Sequence, residues 1–375
     1  MKRTIYLDNN ATTPLDPKVI QAITHCLKHD FGNPSSPYTL GRQSRVLVDE
    51  ARRNVASYLG VRPRELIFTS SGTEALNTLI RGICSGRPPG HIVTSSVEHS
   101  AVFATVQEME RAGWNVTFLA PGSFGSVSAQ AVHSAITPHT ALIAIMAVNN
   151  ETGVKTDIDG IATVARETGV PLIVDGVALL GKEPYAIPAG VSAMAFSGHK
   201  FHGPKGIGLL CMRGRLKVAP LITGGGQEFG LRAGTENVPG IVGLATALEL
   251  VREELPHATE RMRVLRDRFE AEIRGAISDV VVNGEGPRIC NTSNLAFLGV
   301  DGEALLINLD QHGIAASHGS ACSTGALEPS RILTNMGVPL EQARSSLRFS
   351  LSRLTTDEEV DEAIQIIIDC VKRLR

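Results

Sequence analysis

The chain has 375 residues, 43% of them hydrophobic, enough for two domains or for one large domain with a satellite. Its 36 basic and 38 acidic side chains leave a net charge of −2, which argues against a nucleic-acid or membrane partner held by bulk charge. The longest apolar run, Ala141 to Val148, is far short of the roughly 20 residues a membrane-spanning helix needs, and Met1 to Asp8 runs straight into a strand-like pattern with no signal-peptide core. A soluble cytoplasmic protein with no nucleic-acid or membrane partner is expected.

Strand patterns come in chain order at Glu65–Thr69, His91–Ser95, Asn115–Leu119, Ala141–Val148, Pro171–Asp175, Ala193–Ser197 and Ile207–Met212. Amphipathic helical stretches lie between several of them, at Ala75–Gly82, Ala101–Ala112 and Ile158–Thr168. Near-continuous apolar strands alternating with helices imply an α/β fold whose mostly parallel sheet is flanked by helices. In such sheets ligands bind at the carboxyl ends of the strands. After about residue 225 the texture changes. Gly224-Gly225-Gly226 leads into a helical region from Pro239 to Ala276, then strand-like pieces, a Gly/Ser/Ala loop around Cys322, and a last helix opened by a Thr356-x-x-Glu359 capping box. We expect a large domain over 14–255 and a smaller α+β domain made of 1–13 and 256–375. Cysteines 26, 84, 211, 290, 322 and 370 are scattered with no Cys-x-x-Cys pair, so no metal site or disulfide framework is expected.

The residues after the strands carry the chemistry. Asp175 closes one strand and Ser197-Gly198-His199-Lys200 follows another. A lysine enclosed at a strand end has its pKa lowered and becomes a Schiff-base nucleophile. An aspartate on a nearby strand end suits the protonated pyridine nitrogen of pyridoxal 5′-phosphate (PLP), whose ring it keeps an electron sink. Ser71-Gly72-Thr73-Glu74 follows a strand and opens a helix, so backbone N–H groups and the Thr73 hydroxyl converge on an anion such as phosphate. His99 stands in a similar strand-to-helix turn. Gly176-x-x-x-x-Gly181-Lys182 has the outline of a nucleotide-binding loop. Glu183 stands where that loop needs Ser or Thr for Mg²⁺, and its charge would repel phosphate.

Together these motifs resemble the cysteine desulfurases of the fold-type-I, class V aminotransferase group of PLP enzymes, in the type that serves iron–sulfur cluster assembly. The resemblance runs nearly end to end, through Tyr6-Leu-Asp-Asn-Asn-Ala-Thr-Thr-Pro14, Phe31-Gly-Asn-Pro-Ser-Ser36, Ser71-Gly-Thr-Glu74, Glu98-His99, Asn149-Asn-Glu-Thr-Gly153 and Val174-Asp175. It continues through Ser197-Gly-His-Lys200, Gly203-Pro-Lys-Gly206, Arg232-Ala-Gly-Thr235, Gly319-Ser-Ala-Cys322 and Arg348-Phe-Ser350. It implies that Lys200 carries the cofactor and moves the Cα proton, that Asp175 meets the pyridinium, and that His99 stacks on the ring and assists proton transfer. Gly72, Thr73, Ser197 and His199 would hold the phosphate, with Thr235 reaching it from the neighbouring subunit of a homodimer. Asn150 would donate to the ring oxygen, and Arg348, helped by Asn33, would grip the substrate carboxylate.

On the same resemblance Cys322 receives sulfur from L-cysteine as a persulfide, alanine leaves, and a sulfur-acceptor or cluster-scaffold protein is the further partner. Selenocysteine lyase and class V transamination are the alternative activities. A non-catalytic binding protein retaining the fold is the remote one. One position departs from the pattern: the family's Gln three residues after the cofactor aspartate is Ala178 here.

Overall fold

The computed structural model describes residues 4–214, 216–319 and 329–375, so Cys322 lies outside the described residues. The strands are β1 (Ile5–Tyr6), β2 (Leu66–Thr69), β3 (His91–Ser95), β4 (Asn115–Leu119), β5 (Thr140–Met146), β6 (Leu172–Asp175), β7 (Val191–Ser197) and β8 (Gly208–Met212). They are followed by β9 (Val280–Val282), β10 (Thr292–Phe297), β11 (Ile314–Ala315) and β12 (Ser346–Ser350). A seven-stranded sheet has the order β2-β8-β7-β6-β5-β3-β4. Its strands are parallel except β8, which runs antiparallel to both β2 and β7. The expected α/β architecture is therefore present. All four residues of β6 are buried, as a strand covered on both faces requires. The edge strand β4 keeps partial exposure along its length.

The helices are α1 (Pro17–His29), α2 (Thr39–Leu59), α3 (Gly72–Cys84), α4 (Ser100–Arg111), α5 (Ala129–Ala135), α6 (Ile158–Thr168), α7 (Val238–Ala276), α8 (Gly302–Gln311), α9 (Arg331–Asn335), α10 (Leu340–Arg344) and α11 (Asp357–Leu374). Helices α3, α4 and α6 stand where amphipathic patterns place them, and the Thr356–Glu359 capping box opens α11. Helices α1 and α2 escape the pattern. Only Val19 and Cys26 are buried along α1, and the buried face of α2 includes Gly41, Ser44 and Arg52. Neither presents a plain apolar stripe.

Two large apolar cores result. One surrounds the main sheet. The other joins Ile5 and Leu7 to Leu265, Phe297, Phe349 and Ile364, with the Phe269 and Phe349 rings 5.1 Å apart. Helix α7 serves both, contributing Val238 to Met262 to the first and Leu265 to Ile273 to the second. Strand β1 pairs in parallel with β11, Ile5 opposite Ile314. The N-terminal segment is thus anchored among C-terminal elements, and from there it crosses to the end of β7, where Thr13 N donates to His199 O at 2.9 Å.

Candidate active site

Register brings the carboxyl ends of β5, β6 and β7 together, with Met146 opposite Asp175 and Asp175 opposite Ala195. A cavity of about 180 Å³ opens there, lined by Gly72, Thr73, His99, Asn150, Asp175, Ser197, His199 and Lys200 among others. Eight of the residues singled out in the sequence therefore meet in one place, although they are spread over nearly 130 positions of chain. Thr235 and Asn33 do not line this cavity and both are exposed. Asn33 caps its own turn, with Oδ1 accepting from Ser35 N at 2.9 Å. Arg348 sits behind the cavity wall, 2% exposed, and donates from Nη1 to Asn150 O at 2.9 Å and from Nη2 to Asp8 Oδ1 at 2.5 Å.

Asp175 ends β6, and its Oδ1 accepts from Val177 N at 2.9 Å. Burial pushes this carboxyl above the ordinary range, while His99, the Val177 N–H and Lys200 pull it back. His99 is the N-cap of α4 and accepts Ala101 N–H at Nδ1, 3.1 Å away. A neutral ring then carries its proton on Nε2. Burial lowers the His99 pKa, opposed by Asp175 and aided by Lys200. Lys200 donates to the carbonyls of Asn10 and of Ala11, the latter at 2.9 Å. His199 Nδ1 lies 3.1 Å from Thr12 Oγ1, and burial with nearby Lys200, Lys205 and Lys182 lowers that imidazole to about 4.

The start of α3 faces the same space. Ser71 Oγ accepts Glu74 N–H at 3.1 Å, and the Gly72 and Thr73 N–H groups have no acceptor within the helix. A Cβ on Gly72 would stand 2.6 Å from Val177 Cγ2, so only glycine lets this helix end approach the turn after β6.

These features fit PLP. The helix end and the Thr73 and Ser197 hydroxyls suit its phosphate. The Asp175 carboxylate, buried at the end of β6, suits the positive charge of a pyridinium. Asn150 lines the cavity wall, where its Nδ2 could donate to a ring oxygen.

The sequence reading gave no role to three groups found here. Asn10 and Ala11 receive the Lys200 amine. Asp8 holds Arg348. Lys182 lines the cavity, buried, with Nζ donating to Lys200 O at 2.8 Å. The first two lie within the Tyr6–Pro14 motif that the resemblance runs through, which carried no role for them. Lys182 was visible as part of a loop outline that pointed to a different chemistry.

The described flanks of the Cys322 segment converge on the same region. Ser330 Oγ donates to the Glu151 carboxylate, in the turn that carries Asn150. Arg331 donates to Ser96 O and Glu98 O, both at 2.5 Å, in the turn that leads to His99, and lies 3.9 Å from the Phe103 ring centre. The five described cysteines are all buried; burial pushes Cys84 up to about 11 and Cys211 up to about 12, the behaviour of small core residues.

The sequence profile of the aminotransferase class-V family matches residues 5–363. A cysteine desulfurase of Nostoc sp. is 44% identical over 374 residues, 99% of this chain and 94% of that protein. Among solved structures, a NifS-like protein superposes with a TM-score of 0.92 at 32% identity, covering 99% of this chain and 100% of the other. A structure described as SspA in complex with cysteine superposes with a TM-score of 0.83, also at 32% identity, over 94% of this chain and 99% of that one. With its cavity at the strand ends and its full-length likeness to these proteins, the chain belongs to the aminotransferase class-V family, among its cysteine desulfurases.

Proposed function

We propose that the protein, with PLP in the cavity, takes sulfur from L-cysteine, releases L-alanine and keeps the sulfur on Cys322 as a persulfide. The observation that carries this reading is the meeting of Lys200, Asp175 and the α3 N-terminus around one cavity. Bound PLP supplies a sink for the electron pair left when the substrate loses its Cα proton.

The chain's own residues do the rest. Asp175 holds a proton on the pyridine nitrogen. Gly72, Thr73, Ser197 and His199 hold the phosphate, joined by Thr235 of a second subunit in a homodimer. The exposure of Thr235 supports that last role. Asn150 donates to the ring oxygen. Lys200 carries the cofactor by its amine and takes the Cα proton. His99, whose Nδ1 accepts from Ala101 N–H, would stack on the cofactor ring and assist proton movement. Arg348, helped by Asn33, receives the substrate carboxylate.

The Cys322 thiolate attacks the substrate sulfur. An S–S bond forms as the Cβ–S bond breaks, its electron pair stays with carbon, and protons return to Cβ and Cα to give alanine. The flanks anchored by Ser330 and Arg331 beside Asn150 and His99 support delivery of Cys322 to this region. The persulfide then serves an acceptor or cluster-scaffold protein in the cytoplasm. Purified protein should be yellow and, given L-cysteine and a reductant, should release alanine and sulfide in equal amounts. A colourless protein that gains no turnover when PLP is added would refute the reading.

A further inference from the structure

Lys182 has no part in the chemistry above, yet it is held with unusual care. Gly181, before it, has a φ of +80°, and any Cβ there would strike Phe201 Cβ. The Lys182 carbonyl accepts from Thr259 Oγ1 of α7 at 2.8 Å and from Cys290 Sγ at 3.2 Å. Its side chain runs back to the cavity, where Nζ donates to Lys200 O at 2.8 Å. The residue is 2% exposed, and among the described residues no carboxylate lies within ion-pair distance of Nζ. A buried ammonium with no anion raises the electrostatic cost of any second cation beside it.

We propose that Lys182 is a positioning residue for Lys200: its ammonium, held on the Lys200 carbonyl, keeps the Lys200 amine unprotonated and nucleophilic. The inference rests on Lys200 being the amine that carries the cofactor. An amine beside a fixed cation loses its proton more readily, a recognised way to activate lysine. Burial lowers Lys182 only to about 8, helped by Lys200 and Arg353 and opposed by Cys290, so it stays mostly charged at neutral pH. The other groups facing Lys200 act in both directions. Asp175 and the Asn10 and Ala11 carbonyls favour its protonation, whereas burial lowers His99 and His199 toward their uncharged forms. Lys182, held on the Lys200 carbonyl at 2.8 Å, is a positive charge that interacts with the amine from the turn after β6.

The test is the pH dependence of Lys200 acetylation by acetic anhydride in the cofactor-free full-length protein, read by mass spectrometry on the Lys200 peptide. Lys182→Met should raise the midpoint by about one unit, a ~10-fold fall in free amine at neutral pH. Lys182→Arg should keep the midpoint near wild type, because it keeps the charge. A merely structural role would move both variants alike, so equal midpoints in the two, or an unchanged or lowered midpoint in Lys182→Met, would overturn the proposal. Should neither variant fold, wild type decides: a Lys200 midpoint well below that of an ordinary lysine supports it, and an ordinary midpoint overturns it. Since this readout needs no cofactor, it is separate from the yellow colour and turnover that test the proposed function.

Discussion

Arg348 and Asp8 form a side-chain pair across 340 residues of sequence, with Nη2 2.5 Å from Oδ1 and the guanidinium 2% exposed. The same guanidinium donates from Nη1 to Asn150 O, and its Nε is buried without a partner. Asp8 therefore both aims the group proposed to receive the substrate carboxylate and offsets its buried charge. Asp8→Asn keeps an acceptor but loses the charge. It should cost about 1–3 kcal/mol of stability, less than the ~3–5 of a fully buried pair because Asp8 retains some solvent contact. The KM for cysteine should rise more than kcat falls, because the aim of Arg348 changes and the reacting atoms do not. Steady-state kinetics beside thermal melting would check it, and an unchanged KM would remove Asp8 from this role.

Lys200→Ala should lose the visible absorbance of lysine-linked cofactor and all turnover. The Asn10 and Ala11 carbonyls that receive this amine are not nucleophiles and cannot replace it. Substantial remaining desulfurase activity would place the essential amine elsewhere.

Cys322→Ala should bind cofactor and cysteine normally while sulfide production collapses. In wild type, a pulse of cysteine should add one sulfur to the peptide that contains Cys322. The five described cysteines are buried, which makes them poor acceptors by comparison. Sulfur found on any of their peptides instead would refute the assignment.

Ala178 lines the cavity on the turn after Asp175. Its methyl cannot donate to the ring oxygen, so Asn150 is left as the proposed donor. A restored amide in Ala178→Gln would stabilise the ionised oxygen and weaken its hold on the neighbouring proton. A hydrogen bond to a charged group contributes about 1.5–3 kcal/mol, an upper limit that water already present at the site would reduce. The pH midpoint of the bound cofactor's absorbance should fall by a fraction of a unit, with Cys322 chemistry intact. A spectrophotometric titration showing no shift, or a rise, would contradict this account.

His202 gives a pH-dependent stability. Its φ is +67°, Nδ1 donates to Pro14 O at 2.9 Å, and burial together with nearby Lys182 lowers the imidazole to about 3. The unfolded chain takes up this proton near the ordinary His value of about 6.5. Below that pH the unfolded state binds more protons, so the His202 contribution is present above about 6.5 and is lost as pH falls toward 3. At pH ~4.5 the loss is about 2–3 kcal/mol. His202→Asn, which tolerates the left-handed backbone, should lose less stability than wild type between neutral pH and ~4.5. Denaturant melts at the two pH values measure it, and equal losses would show that His202 is not the group responsible.

The strand runs and the residues that follow them were legible from local pattern alone. Parallel strands covered on both faces must be nearly all apolar, and the turns at their ends must carry the polar groups a ligand needs. His91–Ser95 and Asn115–Leu119 therefore match to the residue, and Asp175, His99 and Lys200 stand out as strand-end residues. Helices α1 and α2 did not stand out, because small residues and the buried Arg52, paired with Glu228, fill faces that pattern reading expects to be apolar. What tertiary structure alone decided is which distant groups touch. Strand order, the antiparallel β8, and Lys182 against Lys200 depend on crossovers and register within the main sheet, and Asp8 against Arg348 on how the N-terminal segment crosses between the two cores. The Gly181-Lys182 outline, read locally, points to a phosphate; in the fold that ammonium meets a carbonyl beside another amine. Sequence periodicity records what each segment buries, whereas contacts between segments follow from crossovers and register, which no single stretch of chain encodes.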